Sequence, residues 1–253
     1  MPPEIRKYLF LLLILILGIT FFTRNDFRHV AKIDPSLLDD PVQVKLTDEM
    51  PISFKRNGFE YTLTPLYYYE ISGLVVGKMN YRIVNIDKYD LIYPYDVCLI
   101  WGNNVSQRLY KNPGLTFSQD CRWCWVKWNR DIGFNLSEFS NNHLLINDDR
   151  LLEVARYVGR GDQIRIKGKL VNVKARGIGR ANSSNINWST STLRTDSGAG
   201  ACEIIYVESI EVLKQANVVS RIIFRLCLYI LIGIIIWKVA GFFYSLYRTK
   251  NSW

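Results

Sequence analysis

Histidine is scarce in this 253-residue chain: there are two, and only His143 lies away from the segment that follows the first hydrophobic run. The sequence around it, Ser140-Asn141-Asn142-His143-Leu144, supplies no obvious nucleophile, so His143 reads as a hydrogen-bonded loop residue and not as a catalytic base. The Cys121-x-x-Cys124 pair lacks the second such pair that a four-cysteine zinc site needs, and it lacks the βαβ setting of a thioredoxin-type redox motif. The glycine-spaced stretch ending Gly198-Ala199-Gly200 is followed by no helix, which removes the argument for a phosphate-binding loop. No catalytic cluster is recognisable, no metal ligands are assigned, and no cofactor is implied.

Two uninterrupted apolar runs lie near the ends of the chain. Tyr8 to Phe22 contains no charge and one weakly polar side chain, Thr20. About 20 residues are needed to cross a bilayer, and extending the run from Ile5 to Thr23 supplies that length. A cleaved signal peptide would place small residues at its end, whereas this run ends in Phe21-Phe22. Residues 1–23 therefore read as an uncleaved anchor. The second run, Leu226 to Trp237, is bracketed by Arg225 and Lys238. An aromatic cluster of Trp237, Phe242, Phe243, Tyr244 and Tyr247 resembles an interfacial belt, so 218–247 reads as the second membrane helix, with its span near 223–243.

The net charge of +9 divides unevenly. Residues 221–253 carry five Lys or Arg and no acid, while 23–220 carry 25 Lys or Arg against 22 Asp or Glu. Much of the basicity thus flanks the spans, as short cytoplasmic segments of membrane proteins require. Arg6 and Lys7 precede the first span, and Lys238, Arg248 and Lys250 accompany the second. Both termini, including the tail 248–253, are expected in the cytoplasm, with the central domain outside it. The bacterial inner membrane and a periplasmic domain are the favoured setting.

Between the anchors, 24–50 reads as a linker and 51–215 as one mainly β domain with a single core helix. Strand signals fall at 60–63, 71–76, 97–101 and 122–128. A helix follows at Asp148 to Val158, with an acidic start and Leu151, Leu152, Ala155 and Val158 on one face. Next comes Gly161-Asp162-Gln163-Ile164-Arg165-Ile166-Lys167-Gly168-Lys169-Leu170, a half-buried strand, then a long loop over 174–191 and a last strand over 202–213. The helix followed by that Gly-Asp strand resembles the OB-fold, a small Greek-key β-barrel whose helix sits between its third and fourth strands. The resemblance covers about 68–213 and implies a barrel with 122–128 as its third strand.

OB-folds that bind ligands often use the face of their second and third strands. On 122–128, Trp123, Trp125 and Lys127 share one face, a combination suited to single-stranded nucleic acid or a sugar ring. A basic stretch follows in Arg165, Lys167, Lys169, Lys174, Arg176 and Arg180, with Arg194 beyond it. Outside the cytoplasm such a face favours a lipid headgroup, a glycan or an acidic protein, and disfavours nucleic acid. Cys98, Cys121, Cys124 and Cys202 permit up to two disulfides in three pairings, or partial use in a metal site, while Cys227 lies in the second span.

These features point first to a double-anchored, non-enzymatic binding or scaffolding protein of an envelope assembly, partnered by the bilayer and other membrane proteins. A receptor for an anionic ligand is the second reading and a membrane-bound enzyme the third.

Overall fold

The computed structural model describes residues 2–83, 93–120, 122–129, 131–178, 185–196 and 201–250. The chain is mainly β, with four α-helices among the described residues, two of them long, apolar and terminal. It divides into two compact units, 1–26 with 217–253, and 27–216.

The first unit consists of α1 (Pro3–Thr23) and α4 (Val218–Lys250). Both are long and apolar enough to cross a membrane, over Glu4–Thr23 and Val218–Tyr244, with mean hydropathies of 2.1 and 2.3. The helices pack together, and polar groups join the end of one to the start of the other. Thr23 Oγ1 donates to Ser220 Oγ at 3.1 Å, and Asn217 Nδ2 donates to the Asp26 carbonyl at 2.7 Å. Arg221 Nε donates to the Arg24 carbonyl at 3.1 Å, while the Arg24 guanidinium lies 3.7 Å from the centre of the Phe224 ring. Arg24 and Arg221 are therefore used locally, on an aromatic face and on carbonyl oxygen.

The second unit is built on an eight-stranded sheet. Its strands are β1 (Val42–Lys45), β2 (Ile52–Arg56), β3 (Phe59–Asn80), β4 (Tyr95–Ile100), β7 (Phe139–Leu145), β8 (Gln163–Gly177), β9 (Asn185–Trp188) and β10 (Glu203–Lys214). A separate hairpin pairs β5 (Leu115–Asp120) with β6 (Trp123–Trp128). Two helices complete the unit, a short α2 (Gly102–Ser106) and α3 (Asp149–Tyr157).

Five strands pair in a closed cycle, β3 with β4, β4 with β7, β7 with β10, β10 with β8, and β8 with β3. Only β7–β10 is parallel among these pairs. The sequence-level strands at 60–63 and 71–76 are two parts of the single strand β3, which pairs with β8 from Phe59↔Gly177 to Leu74↔Gln163. Asn57 and Gly58, both at positive φ, form the tight turn from β2 into β3 that an Asn-Gly pair favours. The Gly-Asp strand motif is explained by its two ends. Gly161 is left-handed at φ +91°, and a Cβ on Gly168 would lie 2.1 Å from the Tyr206 carbonyl oxygen of the adjacent β10. Only glycine admits that approach.

Helix α3 matches its sequence signature. The Asp148 side chain accepts from the Arg150 amide at 2.7 Å, capping the start. Leu152 and Ala155 are buried in the cluster that also holds Ile71, Val97, Leu99, Ile164, Ile166 and Ile205. Lys78 Nζ donates to the carbonyls of Ala155, Arg156 and Val158 at 2.5, 3.0 and 2.6 Å, placing a cation on the helix C-terminus.

Three expectations change. The first concerns 24–50, much of which packs into the second unit instead of running free. Phe27, Val30 and Leu37 join a core cluster with Leu74, Val76 and Ile100, and Gln163 holds the segment by accepting from the Asp34 amide and donating to the Lys32 carbonyl. The second concerns 122–128, which lies in the separate hairpin and not in the main sheet. Third in chain order within the five-strand cycle is β7, whose polar sequence hid it. The third concerns 174–191, where β8 runs to Gly177 and β9 occupies Asn185–Trp188.

Candidate functional site

The hairpin places Trp123, Trp125 and Lys127 on an exposed face, as alternation predicts, and turns Cys124, Val126 and Trp128 toward the core. The Trp123 and Trp125 rings stack with centroids 5.9 Å apart, and Trp125 Nε1 donates to Asp120 Oδ1 at 3.0 Å.

The basic stretch is dispersed and largely matched by acids from neighbouring strands. Arg165 pairs with Glu70 and Glu211 at 3.4 and 3.1 Å, and Lys167 pairs with Glu70 at 3.1 Å. Lys169 contacts Glu49 and lies 3.7 Å from Glu208. Lys174 and Arg176 sit farther along β8, beside Glu60, Thr62, Asn185 and Asn187, where they line a shallow groove. Arg194 pairs with Asp40 at 3.5 Å and donates to the Pro41 carbonyl. Arg180 lies outside the described residues. The tryptophan face and the charged ladder thus belong to separate sheets.

The cysteines also separate. Cys98 of β4 is bonded to Cys124 of β6, tying the hairpin to the main sheet. This takes one thiol of the Cys121/Cys124 pair, so that pair cannot act as a local zinc or dithiol motif; Cys121 itself lies outside the described residues. Among the described residues no three His, Cys, Asp or Glu side chains converge to hold a metal ion. Cys202 is free and partly exposed.

The densest polar chemistry lies beneath the hairpin turn, around Asp96 and His143. Asp96, in the apolar run of β4, is completely buried. Its register partner on β7 is His143, which is therefore a buried strand residue and not a loop histidine. His143 Nδ1 lies 2.8 Å from Asp96 Oδ1. Arg122 reaches the same oxygen at 3.1 Å, and the Tyr81 hydroxyl donates to Asp96 Oδ2 at 2.8 Å. The Tyr81 oxygen in turn accepts the Arg122 amide at 2.8 Å. A buried carboxylate without such partners would be strongly destabilising, so this set is what keeps Asp96 tolerable inside.

Arg122 is aimed by its backbone and by aromatics. It sits at φ +79° at the hairpin turn, and its guanidinium lies 3.7 Å from the Tyr81 ring centre and 5.3 Å from that of Tyr93. Tyr93 stacks on Trp188 at 4.7 Å, so strand β9 supplies the outer layer. Burial by itself would lower the His143 pKa, but the Asp96 carboxylate and the Cys202 sulfur outweigh it and push it up to about 9. Next to Cys202, Glu203 is buried; desolvation pushes its carboxyl up to about 8. One signal in the sequence pointed here: a lone acid inside Tyr95-Asp96-Val97-Cys98-Leu99-Ile100 and a lone histidine ahead of Leu144-Leu145-Ile146. Compared with known proteins, the chain matches no family model, no curated protein and no solved structure.

Proposed function

We propose that the chain is a membrane-anchored binding or scaffolding module whose β unit works outside the cytoplasm, in the periplasm of a bacterial inner-membrane protein. The observation that carries this reading is the pair of long apolar helices at the two ends, joined where α1 finishes and α4 begins. Spans connected in that way leave both termini on one side and the β unit on the other. Basic residues beside the two termini favour the cytoplasm for that side. The Cys98–Cys124 bond supports an oxidising compartment for the β unit.

The strand cycle supports an OB-like barrel. Taking β3, β4, β7, β8 and β10 as strands one to five, the only parallel pair joins the third and fifth. Helix α3 falls between the third and fourth, where an OB-fold carries its helix. Envelope proteins are the expected partners, and a scaffold needs no catalytic centre.

Reporter fusions at both termini and within 185–196 test the topology. Cytoplasmic signals from the termini and an exocytoplasmic signal from the internal fusion are expected. An internal cytoplasmic signal would overturn the reading and restore nucleic acid as a candidate ligand. A second reading, a receptor for an anionic glycan or lipid headgroup, draws support from the exposed Trp123–Trp125 stack beside Lys127. Full-length protein that binds neither anionic glycans nor anionic vesicles would eliminate it.

A further inference from the structure

The face that the β5–β6 hairpin turns outward is built from three register pairs, Thr116↔Lys127, Ser118↔Trp125 and Asp120↔Trp123. Partners directly opposite on an antiparallel pair point to one side, and all six of these residues are exposed. Trp123 and Trp125 leave 36% and 46% of their surface open, although burying an indole is among the larger gains a side chain can make. Their rings lie 27° from parallel.

The two rings are held from below. Cys124, between them in sequence, is bonded to Cys98, which is fully buried on β4. Val126 and Trp128 pack into the core cluster that contains Phe117. On the turn side, Arg122 is fixed by Asp96 and Tyr81. Exposed rings on a strand tied down in this way lose little freedom when a ligand covers them, which is what preorganised binding requires.

The composition of the face selects the ligand. Each tryptophan has a hydrogen-bonding group in register beside it, the Ser118 hydroxyl for Trp125 and the Asp120 carboxylate for Trp123. A sugar ring carries the matching pattern. Its C–H face is drawn to the negative π face of an indole, and its rim of hydroxyls bonds to carboxylate and hydroxyl groups. Charge decides against the alternatives. Asp120 and Lys127 are the two charged groups among the six and they cancel, whereas phosphate, sulfate or an anionic lipid surface calls for a surplus of cations. A tryptophan seated at a bilayer interface keeps its N–H for the wet side, but Trp125 Nε1 is spent on Asp120 Oδ1 at 3.0 Å.

We propose that the outward face of the hairpin binds an uncharged saccharide chain, stacked on Trp123 and Trp125 and hydrogen-bonded by Ser118 and Asp120. This rests on the receptor reading above, whose face it uses, and replaces the anionic ligand of that reading with a neutral one.

The test uses the full-length protein in phosphatidylcholine nanodiscs, titrated calorimetrically with three kinds of probe. The first is a panel of uncharged tetrasaccharides of glucose, galactose, mannose and N-acetylglucosamine. The second is a sulfated oligosaccharide, and the third is phosphatidylglycerol vesicles. At least one uncharged tetrasaccharide should bind with a dissociation constant of about 1 mM or tighter. That affinity should hold from low salt to about 0.5 M salt, because no charge is neutralised on binding. Trp123→Ala and Trp125→Ala should each weaken it by about tenfold or more, the scale of losing an aromatic partner from a stacked ring. No uncharged binding, an affinity that falls steeply with salt, or tryptophan variants that bind like wild type would each overturn the proposal. The first two are read on the wild-type protein and decide even if the variants fail to fold. Binding to the sulfated oligosaccharide or the vesicles alone overturns the proposal and leaves the receptor reading standing, whereas silence from every probe removes both.

Discussion

Two groups of charges lie on the same β unit and teach opposite lessons. Along β8, Arg165, Lys167 and Lys169 meet Glu70, Glu211, Glu49 and Glu208 on a solvated surface. Beneath the hairpin, Asp96 meets Arg122, His143 and Tyr81 with no solvent exposure of its own. Water screens the first group, so each pair there is worth at most about 1 kcal/mol. In the second group the partners compensate a desolvated charge, and losing one leaves the others uncompensated. The ladder contains more ion pairs, yet breaking the cluster is expected to cost more than breaking any one pair of the ladder.

The sharpest way to break this contrast is Asp96→Ala, which removes the carboxylate that both Arg122 and His143 contact. Loss of about 3–5 kcal/mol is expected, a large share of a typical domain's stability, read as a fall in the thermal midpoint of the β unit in detergent. A fall of under a degree would place the cluster in the same class as the ladder.

Next in size is the tie that positions Arg122. Cys98 and Cys124 are 26 residues apart in sequence, a loop whose closure is worth about 3.5 kcal/mol in the chain-entropy account. The double change Cys98→Ala, Cys124→Ala should lower the thermal midpoint by a comparable amount. It should also expose Trp123 and Trp125 further, which tryptophan fluorescence would report.

The pH dependence belongs to the buried groups. His143 and Glu203 both have raised folded-state pKa values, about 9 and about 8, so the folded state binds their protons more tightly than the unfolded state does. Their contribution is complete in mild acid, below the unfolded values of about 6.5 and about 4.3, and it is lost as pH rises through about 8 and then about 9. Stability should therefore decline by several kcal/mol from pH 5 to pH 9, at about 1.4 kcal/mol per unit for each group between its two pKa values. Glu203→Gln should flatten the lower part of that decline; a profile that rises toward pH 9 would contradict the assignment.

The smallest effect is expected for Lys167→Ala. Its pairing with Glu70 is partly exposed, and a loss of at most about 1 kcal/mol should shrink further in high salt.

The two long apolar helices were legible because a long apolar run is read directly from the sequence. Helix α3 and the start of β8 were legible because periodicity, an acidic cap and a Gly-Asp turn agree there. Strand β7 was not. Ser140, Asn141, Asn142 and His143 are buried polar residues whose partners lie elsewhere in the chain, and a strand satisfied by tertiary contacts carries no alternating pattern. The same reason concealed the cluster: Asp96 and His143 are 47 positions apart and meet only through the β4–β7 register. The 24–50 segment misled in the opposite direction, because Phe27, Val30, Ile33 and Leu37 have no period and yet pack into the core, while Leu38, Val42, Val44 and Met50 stay exposed. Trp123, Trp125 and Lys127 were correctly placed on one face by alternation, although on a different sheet from the one expected.

The long pairing of β3 with β8 has a consequence in time. Strand β3 is complete once residue 80 has been made, but its partner extends to Gly177. Synthesis at roughly 5–20 residues per second leaves that interval at about 5–20 s. During it, the edge of β3 from Phe59 to Leu74 waits for β8, because β1 and β2 occupy the opposite edge. Pairings this distant in sequence form slowly, and open strand edges invite contact with other chains. The apolar helix α1 precedes every strand in the chain, so it is made before that edge is exposed.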